Sequence, residues 1–160
     1  MKVLVAGIGH FTLTDLGFGP QIIKRLQTLG VPENVELEDL STSAVAALHK
    51  LTENTYDKLI LVSALQRGAA PGTIYKEEPD IKLPDESEIQ ERMAESVSGA
   101  ISLDDTLIIC KYYRALPERV IVIAVEPKST SPGLSLTSTV QEVADKVIEL
   151  VLQEAGAKER

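Results

Sequence analysis

Tryptophan is absent from this 160-residue sequence, and four tyrosines and two phenylalanines are its only aromatic residues. Without a row of aromatic faces there is no platform on which single-stranded bases could stack. Basic residues are a minority, 16 against 24 acidic, so the formal charge is −8 and a phosphate backbone is repelled. Nucleic acid is therefore not an expected partner. A single cysteine, Cys110, excludes an internal disulfide and suits a reducing compartment, so a cytoplasmic location is expected. No apolar stretch approaches the roughly 20 residues of a membrane span, and the opening run Val3-Leu4-Val5-Ala6 is broken by Gly7 too early to form a signal-peptide core. No association with a membrane is expected.

What is present is an alternation of two periods. Residues 2–8 form a short apolar run that stops at Gly7-Ile8-Gly9, as a buried strand does at a tight turn. Pro20 opens a helix carrying Ile22, Ile23, Leu26 and Leu29, which Gly30 and Pro32 close. Val35 to Asp39 is a second, more polar strand, followed by a helix with Val45, Leu48 and Leu51 that Ser41 or Thr42 can cap. Leu59 to Val62 is continuous and apolar, a central strand ending near Ser63; Thr73 to Tyr75 is a short strand, and residues 77–85 an acidic surface loop. Ile89, Met93 and Val97 mark a helix that stops before Gly99. Ser102 with Asp105 has the capping-box pattern of a further helix carrying Leu103, Leu107, Ile108 and Tyr112. Val120 to Val125 is the most apolar strand and belongs in the sheet interior, and Val140, Val143, Val147, Ile148 and Val151 define a last amphipathic helix.

Strands alternating with helices place the chain in the α/β class: one domain over residues 1–155, with a mostly parallel, twisted sheet between helical layers and a frayed tail at 156–160. In such open sheets ligands sit beyond the carboxyl ends of the strands, which gathers the loops at 9–19, 39–42, 63–71 and 126–136 around one site.

The first of these loops, Gly7-Ile8-Gly9-His10-Phe11-Thr12-Leu13-Thr14-Asp15-Leu16-Gly17-Phe18-Gly19, does not suit a dinucleotide. Thr12 fills the third glycine position, the helix is delayed, and Asp15 brings negative charge toward the phosphates. The spacing Gly-x-Gly, five residues, then Asp-x-Gly-x-Gly instead resembles the opening of the nickel-iron hydrogenase maturation endopeptidases. Val35 to Thr42 resembles that family's strand ending in Asp-Gly-Gly-Thr, and Ala70-Pro71-Gly72-Thr73 its Pro-Gly-Thr turn. Glu126-Pro127 with Pro132-Gly133-Leu134-Ser135-Leu136-Thr137 is similar to its last strand, loop and helix. The resemblance implies a three-layer α/β/α domain of the phosphorylase/hydrolase-like type. It also implies removal of a carboxyl-terminal extension from the precursor of a hydrogenase large subunit, or of a related metalloprotein. The nickel is borne by that substrate, and no cofactor of the protein's own is implied.

The family grasps the metal with two carboxylates and a histidine, a donor set for a divalent transition ion. By the same resemblance those positions fall on Leu16, Ser63 and Gly99, so the usual set is absent, and the only histidines are His10 and His49. Asp15, and Asp39 with Thr42 beside it, do match. The candidate cleft residues are thus His10, Asp15, Asp39, Thr42 and Ser63. His10, Asp15 and Asp39 could form a replacement metal set, against the plainer reading that they bond loop amides. Ser63 as a nucleophile would need a base such as His10 and lacks a Gly-x-Ser-x-Gly elbow. His49 reads as a surface residue, Cys110 as a packed inert thiol and Asp104-Asp105 as helix-start acids, while Glu95 or Asp104 could supply an oxygen near the vacated histidine position. Three functions follow for comparison: a precursor-trimming endopeptidase with a divergent site, a non-catalytic relative that binds a protein tail or acts as an assembly chaperone, and an unrelated small-molecule enzyme on the same scaffold.

Overall fold

The structure is a computed structural model and describes residues 1–97 and 102–156. The five strands are β1 (Val3–Gly7), β2 (Val35–Asp39), β3 (Lys58–Ala64), β4 (Ile74–Glu77) and β5 (Arg119–Val125). The helices are α1 (Phe18–Leu29), α2 (Ala44–Glu53), α3 (Glu86–Val97), α4 (Leu103–Tyr112) and α5 (Ser138–Glu154). They build one sheet in the order β2-β1-β3-β5-β4, parallel throughout except that β4 runs antiparallel to β5. The polar strand β2 lies at an edge and the valine-rich β5 inside, as their compositions require.

Strand alternation divides the core in two. Val3, Val5, Ile60, Val62, Ile121, Ile123 and Val125 face α1 and α5, where Phe18, Ile22, Ile23, Leu26, Val140, Ala144 and Val147 are buried. Leu4, Ala6, Leu59, Leu61, Val122 and Ala124 face the opposite layer, packing with Ala47 and Leu51 of α2 and Leu103, Leu107 and Cys110 of α4. The three layers are therefore a direct product of period 2 in the strands meeting period 3.6 in the helices.

Local details depart from the periodic reading. Helix α1 begins at Phe18, two residues before Pro20, because a 3-10 turn at Thr14–Gly17 leads straight into it. The cap of α2 is Ser43, whose hydroxyl accepts from the amide of Ala46. In α4 the Ser102 hydroxyl accepts from the Asp105 amide as the motif implies, but Ile108 and Tyr112 are not buried; Thr106, Ile109 and Cys110 take the inner face. In α5, Ala144 is buried where Val143 was expected. The expected stop of α3 before Gly99 and the expected fraying of 157–160 lie outside the described residues.

At the amino-terminal pole of the sheet, the ammonium of Lys58, only 4% exposed, donates to the Glu154 carboxylate and to its backbone carbonyl, both at 2.7 Å, and Lys76 joins the carboxylate. Hydrogen bonds from Lys58 and Lys76 outweigh burial and lower the Glu154 carboxyl from 4.5 to about 2. A depressed folded-state value means stability that is fully present above the unfolded value and is lost as pH falls through about 2. Chemical denaturation between pH 5 and pH 2 is expected to show this loss in the wild type and a shallower dependence in Glu154→Gln. Equal slopes in the two proteins would contradict the assignment.

Candidate functional site

From β1 the chain continues to β2 on one side of the sheet and from β3 to β4 on the other, so the crevice between their carboxyl ends is the topological switch point where open sheets bind ligands. A cleft of about 240 Å³ lies there, lined by Ile8, Gly9 and His10 after β1, Leu16 from the following turn, Ser63 to Gln66 at the end of β3, and Ser102 to Asp104 at the start of α4. Among the described residues its titratable side chains are His10 and Asp104, and the rest of the described wall is backbone, hydroxyl, amide and aliphatic carbon. The Ser63 hydroxyl is buried and donates to the carbonyl of Ile8 at 2.9 Å, locking the ends of β1 and β3 together. A serine with its proton directed at a backbone carbonyl is a strut in this geometry, not a base-activated nucleophile.

Asp15, expected at the cleft, is instead 0% exposed and turned toward the last loop. Its Oδ2 accepts from the amides of Lys128 (2.9 Å) and Ser129 (3.0 Å), its Oδ1 from the amide of Thr137 (2.8 Å), and the Thr137 hydroxyl donates to both oxygens. The Asp15 amide in turn donates to the carbonyl of Ser129, and Leu13 pairs with Gly133 in a parallel bridge. One carboxylate thus draws residues 128–137 onto the turn that carries Leu16 into the cleft. A side chain at position 17 would meet Phe11 Cα at 2.9 Å, so the turn closes only over glycine.

A second buried carboxylate, Glu126 at the end of β5, plays a comparable part that its place in the sequence did not disclose. Its Oε1 accepts from the amides of Arg67 (2.8 Å) and Ala69 (3.1 Å) and from the Tyr75 hydroxyl (2.8 Å). Burial pushes its carboxyl up, but the Tyr75 hydroxyl and the amides of Arg67, Ala69 and Gly68 together hold it below the usual carboxylate range. In the sequence it stood out only as an acid directly after the most apolar strand and as part of the Glu126-Pro127 pair resembling the family, with no sign of its partners.

The remaining candidates lie elsewhere. Asp39 is exposed and accepts from the amide of Ser41 at 3.0 Å, an Asx turn; Ser41 then accepts from the amide of Gly9 at 3.0 Å, linking the second loop to the first. Thr42 is exposed and, like Asp39, does not line the cleft. His49 is exposed on α2 and Glu95 on α3. Asp105 is held by Arg92, while Asp104 reaches the cleft rim. Cys110 is fully buried and its thiol is pushed up to about 12 by burial, which makes it inert to thiolate chemistry in the folded state. Gly99 lies outside the described residues. Among the described residues, no three of His, Cys, Asp and Glu stand close enough to share a metal ion, so His10, Asp15 and Asp39 are not brought together.

The profile of the hydrogenase maturation protease family matches residues 20–154 of the chain. The chain belongs to that family. It is 30% identical over 155 residues to the hydrogenase 2 maturation protease of Escherichia coli, spanning 95% of this chain and 89% of that one. Two solved structures of similar proteins superpose along nearly the full length. The hydrogenase 2 maturation peptidase of a Thaumarchaeota archaeon has a TM-score of 0.71 at 26% identity, covering 99% of this chain and 100% of that one. The hydrogenase maturating endopeptidase HybD of E. coli has a TM-score of 0.72 at 26% identity, covering 98% and 94%. The mostly parallel five-stranded sheet between two helical layers is the fold these neighbours share. No helix among the described residues is long and apolar enough to cross a membrane.

In this family member, Leu16 and Ser63 do meet at one cleft, but as an aliphatic side chain and a committed hydroxyl. A nickel ion offered there by a substrate would find no carboxylate at either position. The described residues do not fit a metal grip.

Proposed function

We propose that this chain acts on the precursor of a hydrogenase large subunit, or a related metalloprotein precursor, in the cytoplasm, taking the precursor's carboxyl-terminal extension into the cleft above β1 and β3 and trimming it. The observation that carries this reading is the convergence of Leu16 and Ser63 on one open cleft, in a chain that follows a family of maturation proteases along almost its whole length. Recognition rests on the walls of the cleft: the half-buried Leu16 and Leu65 offer carbon surface, and Gln66, His10 and Asp104 offer polar contacts.

A second reading, binding of the extension without cutting, is favoured by one specific observation. Leu16 has no donor atom and the Ser63 proton is given to Ile8, so neither position can position a metal or attack a peptide bond as it stands. Both readings share an expected result: affinity for nickel-loaded and nickel-free precursor differs by less than about tenfold, because Leu16 and Ser63 supply no carboxylate and His10 and Asp104 are not joined by a third ligand among the described residues.

Incubating the purified protein with either precursor, and following intact mass together with complex formation, separates the two. Loss of the extension supports trimming; a stable complex with the extension intact supports the holding role. Neither product nor complex removes both readings, and binding that needs nickel removes the account of the cleft.

A further inference from the structure

The loop between β3 and β4 presents Leu65 and Gln66 to the cleft; Leu65 packs against the core at its start, but the stretch that follows has no apolar anchor of its own. Residues 66–71, Gln-Arg-Gly-Ala-Ala-Pro, are all exposed, and Gly68 and Gly72 adopt φ of +80° and +86°. With no side chain from this stretch in either core, hydrophobic packing cannot select its conformation, and its glycines widen the choice. Apart from the bonds of Thr73 to Ala70 and the Arg67–Glu77 ion pair, its contacts to the sheet converge on one residue. The Glu126 side chain accepts from the amides of Arg67 and Ala69 and from the Tyr75 hydroxyl. The Glu126 backbone accepts from Gly72 at 2.9 Å and donates to Thr73 at 2.8 Å, and just before it Val125 accepts from Leu65 at 3.0 Å. Arg67 is then fixed on the outside, forked against Glu77 and lying 5.0 Å from the Tyr75 ring centroid.

We infer that Glu126 is the positioning residue of the cleft: by gripping the amides of Arg67 and Ala69 it sets the place of Leu65 and Gln66, and so the side of the cleft along which the precursor's extension lies. The grip on the Arg67 amide is one peptide unit from Gln66, so displacement of the loop moves the cleft wall itself. This rests on the reading that the cleft receives that extension. Glu126 touches no substrate; its effect passes through the loop, and preorganising such a loop removes the cost of ordering it at the moment of binding.

The test compares wild type, Glu126→Ala, Glu126→Gln and Tyr75→Phe, each with a recombinant hydrogenase large-subunit precursor that retains its extension. Binding is measured well below the melting temperature, and amide hydrogen exchange is measured on the protein alone. Glu126→Ala is expected to weaken binding about tenfold or more, through affinity and not through turnover of the bound complex, as expected when a preorganised contact is lost. Glu126→Gln keeps an acceptor oxygen for the same donors and is expected to stay within about threefold of wild type, and Tyr75→Phe, which removes one donor of the three, to lose about threefold. Exchange at Arg67 and Ala69 rises in Glu126→Ala while the amides of β3 and β5 stay protected.

A merely structural role would lower the melting temperature of Glu126→Ala and leave the affinity of its folded fraction unchanged, and that result overturns the inference. Unchanged exchange at Arg67 and Ala69 overturns it too. If Glu126→Ala does not fold, Tyr75→Phe decides, wild-type affinity counting against the grip. A wild-type protein that fails to bind the precursor overturns the proposed function and this inference together, whereas tight binding indifferent to Glu126 overturns this inference alone.

Discussion

Replacing Gly19 with alanine is expected to abolish the fold. Gly19 lies in the first turn of α1, where the helix rests directly on the backbone of the two central strands. A methyl group there would sit 2.3 Å from the Val62 carbonyl oxygen, 2.8 Å from that of Ile8 and 2.9 Å from the Ile8 nitrogen. None of these is the end of a movable side chain; relief requires lifting α1 off the sheet that buries Phe18, Ile22, Ile23 and Leu26. Overpacking a well-filled core with extra carbon costs roughly 1–3 kcal/mol where side chains can yield, and more where backbone must move. Against the ~5–15 kcal/mol that holds a typical domain together, lifting a whole helix is prohibitive. Gly19→Ala should therefore give no soluble cooperative melt. Gly30→Ala, where an added methyl meets nothing within 4 Å, should fold despite its φ of +83°. A Gly19→Ala protein melting within about 5 °C of wild type would show that α1 does not sit as described.

The second large effect is expected at Asp15. Truncation to alanine leaves the amides of Lys128, Ser129 and Thr137 and the Thr137 hydroxyl without their acceptor in a site from which Asp15 itself is wholly excluded from solvent. At about 1–3 kcal/mol for each buried polar group left unpaired, and with water able to reach some of them, a loss of about 3–5 kcal/mol follows. For a domain of this size that is a fall of roughly 10 °C in melting temperature. Asp39→Ala is the matched control: the same residue type, exposed, with one amide partner in Ser41, and expected to cost less than about 1 kcal/mol. Similar melting temperatures for the two variants would refute the distinction drawn between a buried tie and a surface turn.

The contrast between these two aspartates marks where the sequence stops being readable. The layers follow from patterns within each element: Val3 and Val5 alternate with Leu4 and Ala6, and Ile22, Ile23 and Leu26 recur at helical spacing. The polarity of β2 places it at the edge for the same reason. Asp15 and Glu126 follow no such rule, because each takes backbone amides as partners, and an amide leaves no trace in the amino-acid code. Asp15 reaches residues 113 and 114 positions away, and Glu126 the loop 59 positions before it. Smaller misreadings have the same origin. Ser41 was free to cap α2 on sequence grounds, but its hydroxyl is taken by Gly9, and Ser43 caps instead. Helix α4 packs against α2 and α3 as well as the sheet, so Ile109 and Thr106 turn inward where a single apolar stripe would have placed Ile108 and Tyr112 outside solvent. The cleft itself was legible as a place, from the carboxyl ends of β1 and β3, and Leu16 and Ser63 reach it. The loop at 63–71 was legible as part of that place too, and Leu65 and Gln66 line it, but the tie to Glu126 that holds the loop was not.

Strand β4 is four residues long and runs antiparallel to β5, its one neighbour in the sheet. Its modest size conceals what it shields. Without it, Arg119–Val125, a ribbon rich in valine and isoleucine, would present a bare row of amides and carbonyls to any other chain, the arrangement from which fibrils grow. Lys76 and Glu77 charge the covering strand, and Pro79 ends the chance of extending it. The chain thus closes its most aggregation-prone surface with a short polar hem, and spends no helix to do so.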